Sequence, residues 1–294
     1  MNKVILVDTS MLFVPTVKII NRIRKQDAEQ NTHSYVMTAC SMYFNSLISC
    51  LKKIGVNKDD IIIMALEGHS FRKKMYAPYK AQRQGLRNKD TFVNWQEEYQ
   101  KFNKFNGLLN SATNWNFIRV EDGLEADDII AISCRYFKDK ECIIITGDKD
   151  IYMLAYYSNI KIFSTTKKCK GTKGFYINVE KPLQILAEKA IKGDISDNLI
   201  ASLTDTKEDF ELRYDLVNLL KLPDEIEKKG VEAIEKSLQI NKELNLNKLS
   251  EKQRDKFLTI YDKKYQITEE YCHALETKRI ARKKKEKIEK NKTK

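Results

Sequence analysis

The sequence predicts an α/β fold built on an open, doubly wound, mostly parallel sheet, and three observations predict it. Short runs rich in Val and Ile recur through the first half of the chain. Helix-like segments lie between them. Most runs lead into an acidic residue, at the place where open sheets keep their chemistry, outside the carboxyl ends of the strands.

The strand-like runs are Val4–Val7, Ile61–Leu66, Phe117–Val120, Cys142–Thr146 and Ile160–Phe163. They are continuously apolar rather than alternating, as expected of strands covered by helices on both faces. Helix-like segments cover Tyr35–Ile54, Ala126–Phe137 and Ile151–Tyr156. From Phe71 to about Asn114 the alternation breaks. That segment is polar, basic at its start and aromatic throughout, which predicts a mobile helical insertion. From Lys181 the pattern is helical, with Pro182 suited to a first helical turn. The chain thus divides into a core over 1–180 with an insertion at about 71–114, a helical region over 181–277 and a basic tail over 278–294.

At 294 residues with 42% hydrophobic content, the chain can bury a substantial core. Its formal charge of +12 points to a polyanionic partner, of which nucleic acid is the commonest. The charge is uneven. Lys278–Lys294 holds ten Lys or Arg against Glu286 and Glu289, a net +8, so the domain itself contributes only +4. Six cysteines without a C-x-x-C pair read as reduced core thiols of a cytoplasmic protein, not as a disulfide framework or zinc site. The start of the chain enters a strand at once, which predicts no signal peptide, and no apolar run is long enough for a membrane span.

The acidic residues carry the chemistry. Asp8 ends the first strand and Glu67 follows the second. The third runs into Glu125-Ala-Asp127-Asp128 and the fourth into Asp148-Lys-Asp150, while a later helix leads into Asp194-Ile-Ser-Asp197. Any one of these could be a helix cap. Converging at strand ends, they would repel one another strongly unless cations lay between them. Mg2+ suits hard oxygen ligands and bridges to phosphate, with Mn2+ able to substitute. Two such ions ~4 Å apart can clamp the attacking and leaving oxygens of a phosphodiester displacement.

At these residues the chain resembles the flap-endonuclease/5′-3′ exonuclease family, whose core is PIN-like. The matching blocks are Leu6-Val-Asp8, Phe71-Arg72 with Tyr79-Lys80-Ala-Gln-Arg83, Leu124-Glu-Ala-Asp-Asp-Ile129, Ile145-Thr-Gly-Asp-Lys-Asp150 and Lys192-Gly-Asp-Ile-Ser-Asp-Asn198. They occur in the family's order over about the first 200 residues. Within the family the chain is most similar to the RNase H branch of T-even-type phages, which removes RNA primers. That likeness rests on the Tyr79-Lys80 block, an aromatic-rich arch containing Trp95 and the glycine-poor stretch after Asn198.

The resemblance implies a PIN-like nuclease core with a helical arch and a first metal site of Asp8, Glu67, Glu125 and Asp127. It implies a second site of Asp148, Asp150, Asp194 and Asp197, with Asp128 in the outer shell of either. Lys80 and Arg83 would contact the scissile phosphate. The implied substrates are DNA with a 5′ flap or free 5′ end and RNA–DNA hybrid. The implied setting is replication in a bacterial host's cytoplasm, by a monomer that docks on a single-strand-binding protein or a polymerase clamp and not on a membrane. Glu67 departs from the family's usual Asp. A glycine-rich helix–hairpin–helix normally follows Ser-Asp-Asn, whereas Leu199–Lys207 has no glycine. The 181–277 region therefore reads as a degenerate form of that element.

Arg72, Lys73, Lys74, Tyr79 and Arg87 complete the expected nucleic-acid contacts. Basic residues attract backbone phosphates, and aromatic faces stack unpaired bases at ~1–3 kcal/mol each. The rival readings are a PIN-type ribonuclease on single-stranded RNA, a non-catalytic nucleic-acid-binding protein and a structural α/β domain with capping acids.

Overall fold

The computed structural model describes residues 2–31, 38–83, 85, 93–169, 172–202, 204–240 and 242–292. Of 167–169, 172–173, 263 and 285–292 it describes the backbone alone. The central sheet is built from β1 (Val4–Asp8), β2 (Ile61–Ala65), β4 (Asn116–Ile118), β6 (Cys142–Thr146), β7 (Ile160–Cys169) and β8 (Thr172–Ile177). Their order in space is β4-β2-β1-β6-β7-β8. The pairs are parallel except β7–β8, with Val4 opposite both Ile61 and Cys142. β1 is buried along its whole length, as a strand covered on both faces must be.

One face of the sheet is covered by α1 (Thr9–Gln30), α2 (Ala39–Ile54) and α4 (Trp95–Ala112), whose side chains form a core rich in aromatic rings. Phe102 stacks on Phe13 at 4.1 Å and meets the edge of Tyr43 at 5.0 Å. The other face is covered by α5 (Ala126–Tyr136), α6 (Pro182–Lys192), α7 (Lys207–Val217) and α8 (Asp224–Gln239), which bury Ile129, Ile130, Leu186, Leu216, Ile226 and Ile234. The C-terminal region supplies both layers, because Phe257, Ile260 and Cys272 join the first core.

The structure differs from the sequence reading in three places. α1 occupies a stretch to which that reading gave no element. Its buried Leu12, Phe13, Thr16, Val17 and Ile20 recur at helical spacing, and the helix tolerates Pro15. β8 is an added antiparallel edge. The insertion is not one mobile piece. Its start is the short α3 (Arg72–Met75), and its end, α4, is a capped helix packed on the sheet. Residues 84 and 86–92, Arg87 among them, lie outside the described residues. After α9 (Glu251–Leu258), the tail lies on the helix α10 (Glu269–Lys292).

Two two-stranded ladders fix the loops around the site. β3 (His69–Ser70) pairs with β5 (Asp122–Gly123), and β9 (Gly193–Asp194) pairs with β10 (Leu199–Ile200). Gly68 permits the first: a Cβ there would sit 2.0 Å from the Val120 carbonyl oxygen. Among the described residues no helix is long and apolar enough to cross a membrane.

Candidate active site

Each acidic side chain is placed by the end of a regular element. Asp8 closes β1 and caps α1, accepting from the Met11 N–H at 3.1 Å and from Thr146 Oγ1 at 2.8 Å. Thr9 Oγ1 donates to the Ala65 carbonyl at 2.6 Å, which pins the end of β1 to the end of β2, two residues before Glu67. Glu67 accepts from the Ala126 N–H at 3.3 Å, and this brings it to the start of α5, beside Asp127. Asp148 and Asp150 follow β6, with the Asp150 N–H donating to Asp148 Oδ1 at 2.9 Å. Asp194 and Asp197 lie on the loop that the β9–β10 ladder closes.

Asp8, Glu67 and Asp127 form a first set whose charges are unbalanced. Burial pushes the Asp8 carboxyl up to about 7, and Glu67 and Asp148 add to the rise. Asp127 is raised well above the carboxylate range by burial, then by Asp8 and Asp148. Glu67 opens to solvent at the mouth of the site, yet crowding by protein atoms and then Glu125 raise it too. Carboxyls held together in this way bind a proton or a cation.

Asp150, Asp194 and Asp197 form a second set, with one oxygen from each within 4.8 Å of the others. Here the chain supplies its own cations. Lys189, on α6, contacts both Asp150 and Asp194. Arg83 reaches Asp197 at 2.5 Å. Burial and Asp148 push Asp150 up to about 6 against the pull of Lys189. Burial would raise Asp194 as well, but Lys189 and Ser196 hold it at about 2. Asp148 interacts with Asp8, Asp127 and Asp150 alike, so it stands between the sets rather than within the second.

Glu125 is the most heavily engaged acid. It accepts from Lys80 Nζ at 2.6 Å, Ser70 Oγ at 2.8 Å, Tyr79 Oη at 3.1 Å and Arg72 Nη1 at 3.2 Å. Burial opposes its ionisation, but Lys80 and Arg72 prevail and hold it at about 2. The basic segment is laced to the second set. The Lys80 N–H donates to the Asp197 carbonyl at 2.9 Å, with Lys80 itself in the left-handed region at φ 55°. Gln82 Nε2 donates to the Ile195 carbonyl at 2.6 Å and Arg83 Nε to the Ser196 carbonyl at 3.2 Å.

Three expectations are corrected by these contacts. Arg72 cannot bind nucleic acid. It is 2% exposed, its guanidinium donates to Asp128 at 2.7 and 2.9 Å, and its Nε donates to the Leu216 carbonyl at 2.6 Å. Tyr79, 3% exposed, has no free face for a base and directs its hydroxyl to Glu125. Asp128 is fully buried, out of a substrate's reach. It caps α5 by accepting from the Glu125 N–H at 2.9 Å and pairs with Arg72. Lys73 and Lys74 are exposed, and Lys74 pairs with Asp122 at 3.3 Å. The sequence reading missed Lys189, Thr146 and Ser70. Only Lys189 had a visible cue, five residues before Asp194 across Gly193.

Residues 3–182 match the family model of the 5′-3′ exonuclease N-terminal, resolvase-like domain, which is more than half of the chain. The chain belongs to the 5′-3′ exonuclease family. Its solved structural relatives include the 5′-exonuclease of T5 with bound zinc, at 19% identity and a TM-score of 0.49 over 92% of this chain and 91% of that one. They include the bacteriophage T5 flap endonuclease with DNA and metal ions, at 19% identity and 0.47 over 92% and 90%. The Rad2 catalytic core with DNA substrate is similar at 15% identity and 0.42 over 92% and 76%. Among curated proteins no sequence matches the chain.

Proposed function

We propose that this member of the family is a Mg2+-dependent 5′ nuclease that hydrolyses phosphodiesters near the 5′ ends of DNA or RNA–DNA hybrids. The observation that carries the reading is the convergence of seven carboxylates, Asp8, Glu67, Asp127, Asp148, Asp150, Asp194 and Asp197, around one set of strand ends. The residues fit divalent cations. Asp8, Glu67 and Asp127 offer hard oxygens whose mutual repulsion a cation relieves, and Asp150, Asp194 and Asp197 offer three more in close range. When bound, such ions activate water and stabilise the charge that develops on a transferring phosphoryl group.

The chain's own residues prepare the rest. Glu125 stays ionised and serves as the anchor from which Lys80 reaches into the site. Lys80 and Arg83 are cations able to turn from carboxylates to a scissile phosphate, where they offset developing negative charge. The buried Arg72–Asp128 pair holds Glu125 and α5 in register. Lys73, exposed on α3, suits an incoming backbone phosphate. The proposed setting is replication in a bacterial cytoplasm, with a single-strand-binding protein or polymerase clamp as the proposed docking partner.

A 5′-labelled panel of flap DNA, nicked duplex, RNA–DNA hybrid and single-stranded RNA, each with Mg2+ and with EDTA, tests the reading. It expects short 5′ products from flap or hybrid with Mg2+ alone. Cleavage confined to single-stranded RNA would replace it with a ribonuclease. Binding without any cleavage would leave a nucleic-acid-binding protein.

A further inference from the structure

We propose that Lys189 is a resident counter-cation that keeps the second cation position closed in the nucleic-acid-free protein, so that the first acidic set fills before the second. The inference rests on the metal-dependent reading above. Its basis is an asymmetry in how the two sets are neutralised. Lys189 Nζ contacts Asp150 and Asp194 together, two of the three acids of the second set. Asp197 in turn holds Arg83. The second set therefore carries two protein cations for three carboxylates.

Among the described residues no cation contacts the first set in this way. Asp8 is hydrogen-bonded by an amide and a hydroxyl, and Glu67 by the Ala126 amide and Ser10. Lys80, the nearest cation, spends its contact on Glu125. Lys80 acts on Glu67 and Asp127 from a distance, so a divalent ion entering the first set displaces no contacting cation of the described residues. One entering the second must first displace an ammonium at contact distance.

Lys189 is also built to yield. Its four-carbon stem rises from the last turn of α6, so the ammonium can swing without moving the helix. A backbone phosphate arriving at the cleft offers it an alternative anion. The lysine then leaves the carboxylates when substrate is present, and the second position opens at the moment it is needed.

The test is Mn2+ binding to the full chain without nucleic acid, read by the electron paramagnetic resonance of free Mn2+, for the wild type, Lys189→Met and Lys189→Arg. The wild type is expected to take one ion per chain at concentrations where Lys189→Met takes two. The second ion's affinity should rise about tenfold or more when the competing charge is removed. Lys189→Arg, which keeps the charge, should stay at one. Two ions of matched affinity in the wild type, or Lys189→Met titrating like the wild type, would overturn the inference and leave the metal-dependent reading intact. No Mn2+ bound by any of the three would overturn that reading, and the inference with it.

Discussion

Asp8 ends a strand, caps a helix and interacts with three other acids, Glu67, Asp127 and Asp148, and these roles conflict. As a cap it is best ionised, yet burial beside Glu67 and Asp148 raises it to about 7. Asp150 is raised to about 6 in the same way. A carboxyl that holds its proton more tightly in the folded chain than in the unfolded one makes stability fall as pH rises between the two pKa values. In EDTA the melting temperature should therefore decline between about pH 4 and 7, and saturating Mg2+ should flatten that decline, because the ion replaces the proton. Thermal unfolding at several pH values, with and without Mg2+, reads both effects. Arg72 makes the opposite kind of case. Removing it strands Asp128 in the core, so Arg72→Met should cost about 3–5 kcal/mol in urea unfolding, while Lys73→Met at the surface should stay within about 0.5 kcal/mol. Sequence alone could not separate these neighbours. A basic residue in a basic run looks the same whether it faces solvent or two acids 53 and 56 positions away.

At the scale of elements, the segment carrying Lys80 and the loop carrying Asp194 and Asp197 behave as one unit. They are joined by the Lys80 amide, Gln82 and Arg83, and by Asn198 Nδ2 donating to the Pro78 carbonyl at 3.1 Å. The loop depends on Gly193, at φ 73°, where a Cβ would lie 2.3 Å from the Leu199 carbonyl oxygen. Gly193→Ala should destabilise the protein by roughly 1–3 kcal/mol, and calorimetry measures the loss. The strands β1, β2 and β6 were legible because a strand buried on both faces is written as an unbroken apolar run. β8 was not, because Thr172-Lys-Gly174 carries no such run and its pairing is set by β7. In sequence α4 reads as part of a mobile insertion, because aromatic residues such as Trp95, Tyr99, Phe102 and Phe105 stand in a polar segment that breaks the strand–helix alternation. Packing of Phe102 on Phe13 decides for the core.

At the scale of the molecule, two cores sandwich one sheet, and the acids gather at the carboxyl ends of its strands, where the order of the chain elements led them to be expected. The excess positive charge lies largely in the tail, on α10. Binding of DNA should accordingly weaken tenfold or more between about 50 and 200 mM salt, as anisotropy titrations would show. The central claim is that the clustered carboxylates do chemistry rather than hold the fold or the substrate. Asp148, between the two sets, tests it most directly. Cleavage and binding of a 5′-flap DNA by Asp148→Asn should be measured side by side with the wild type in Mg2+. The account predicts binding within a few-fold of the wild type and cleavage reduced by at least about a thousandfold. Cleavage near the wild-type rate, or equal loss of cleavage and binding, would contradict it.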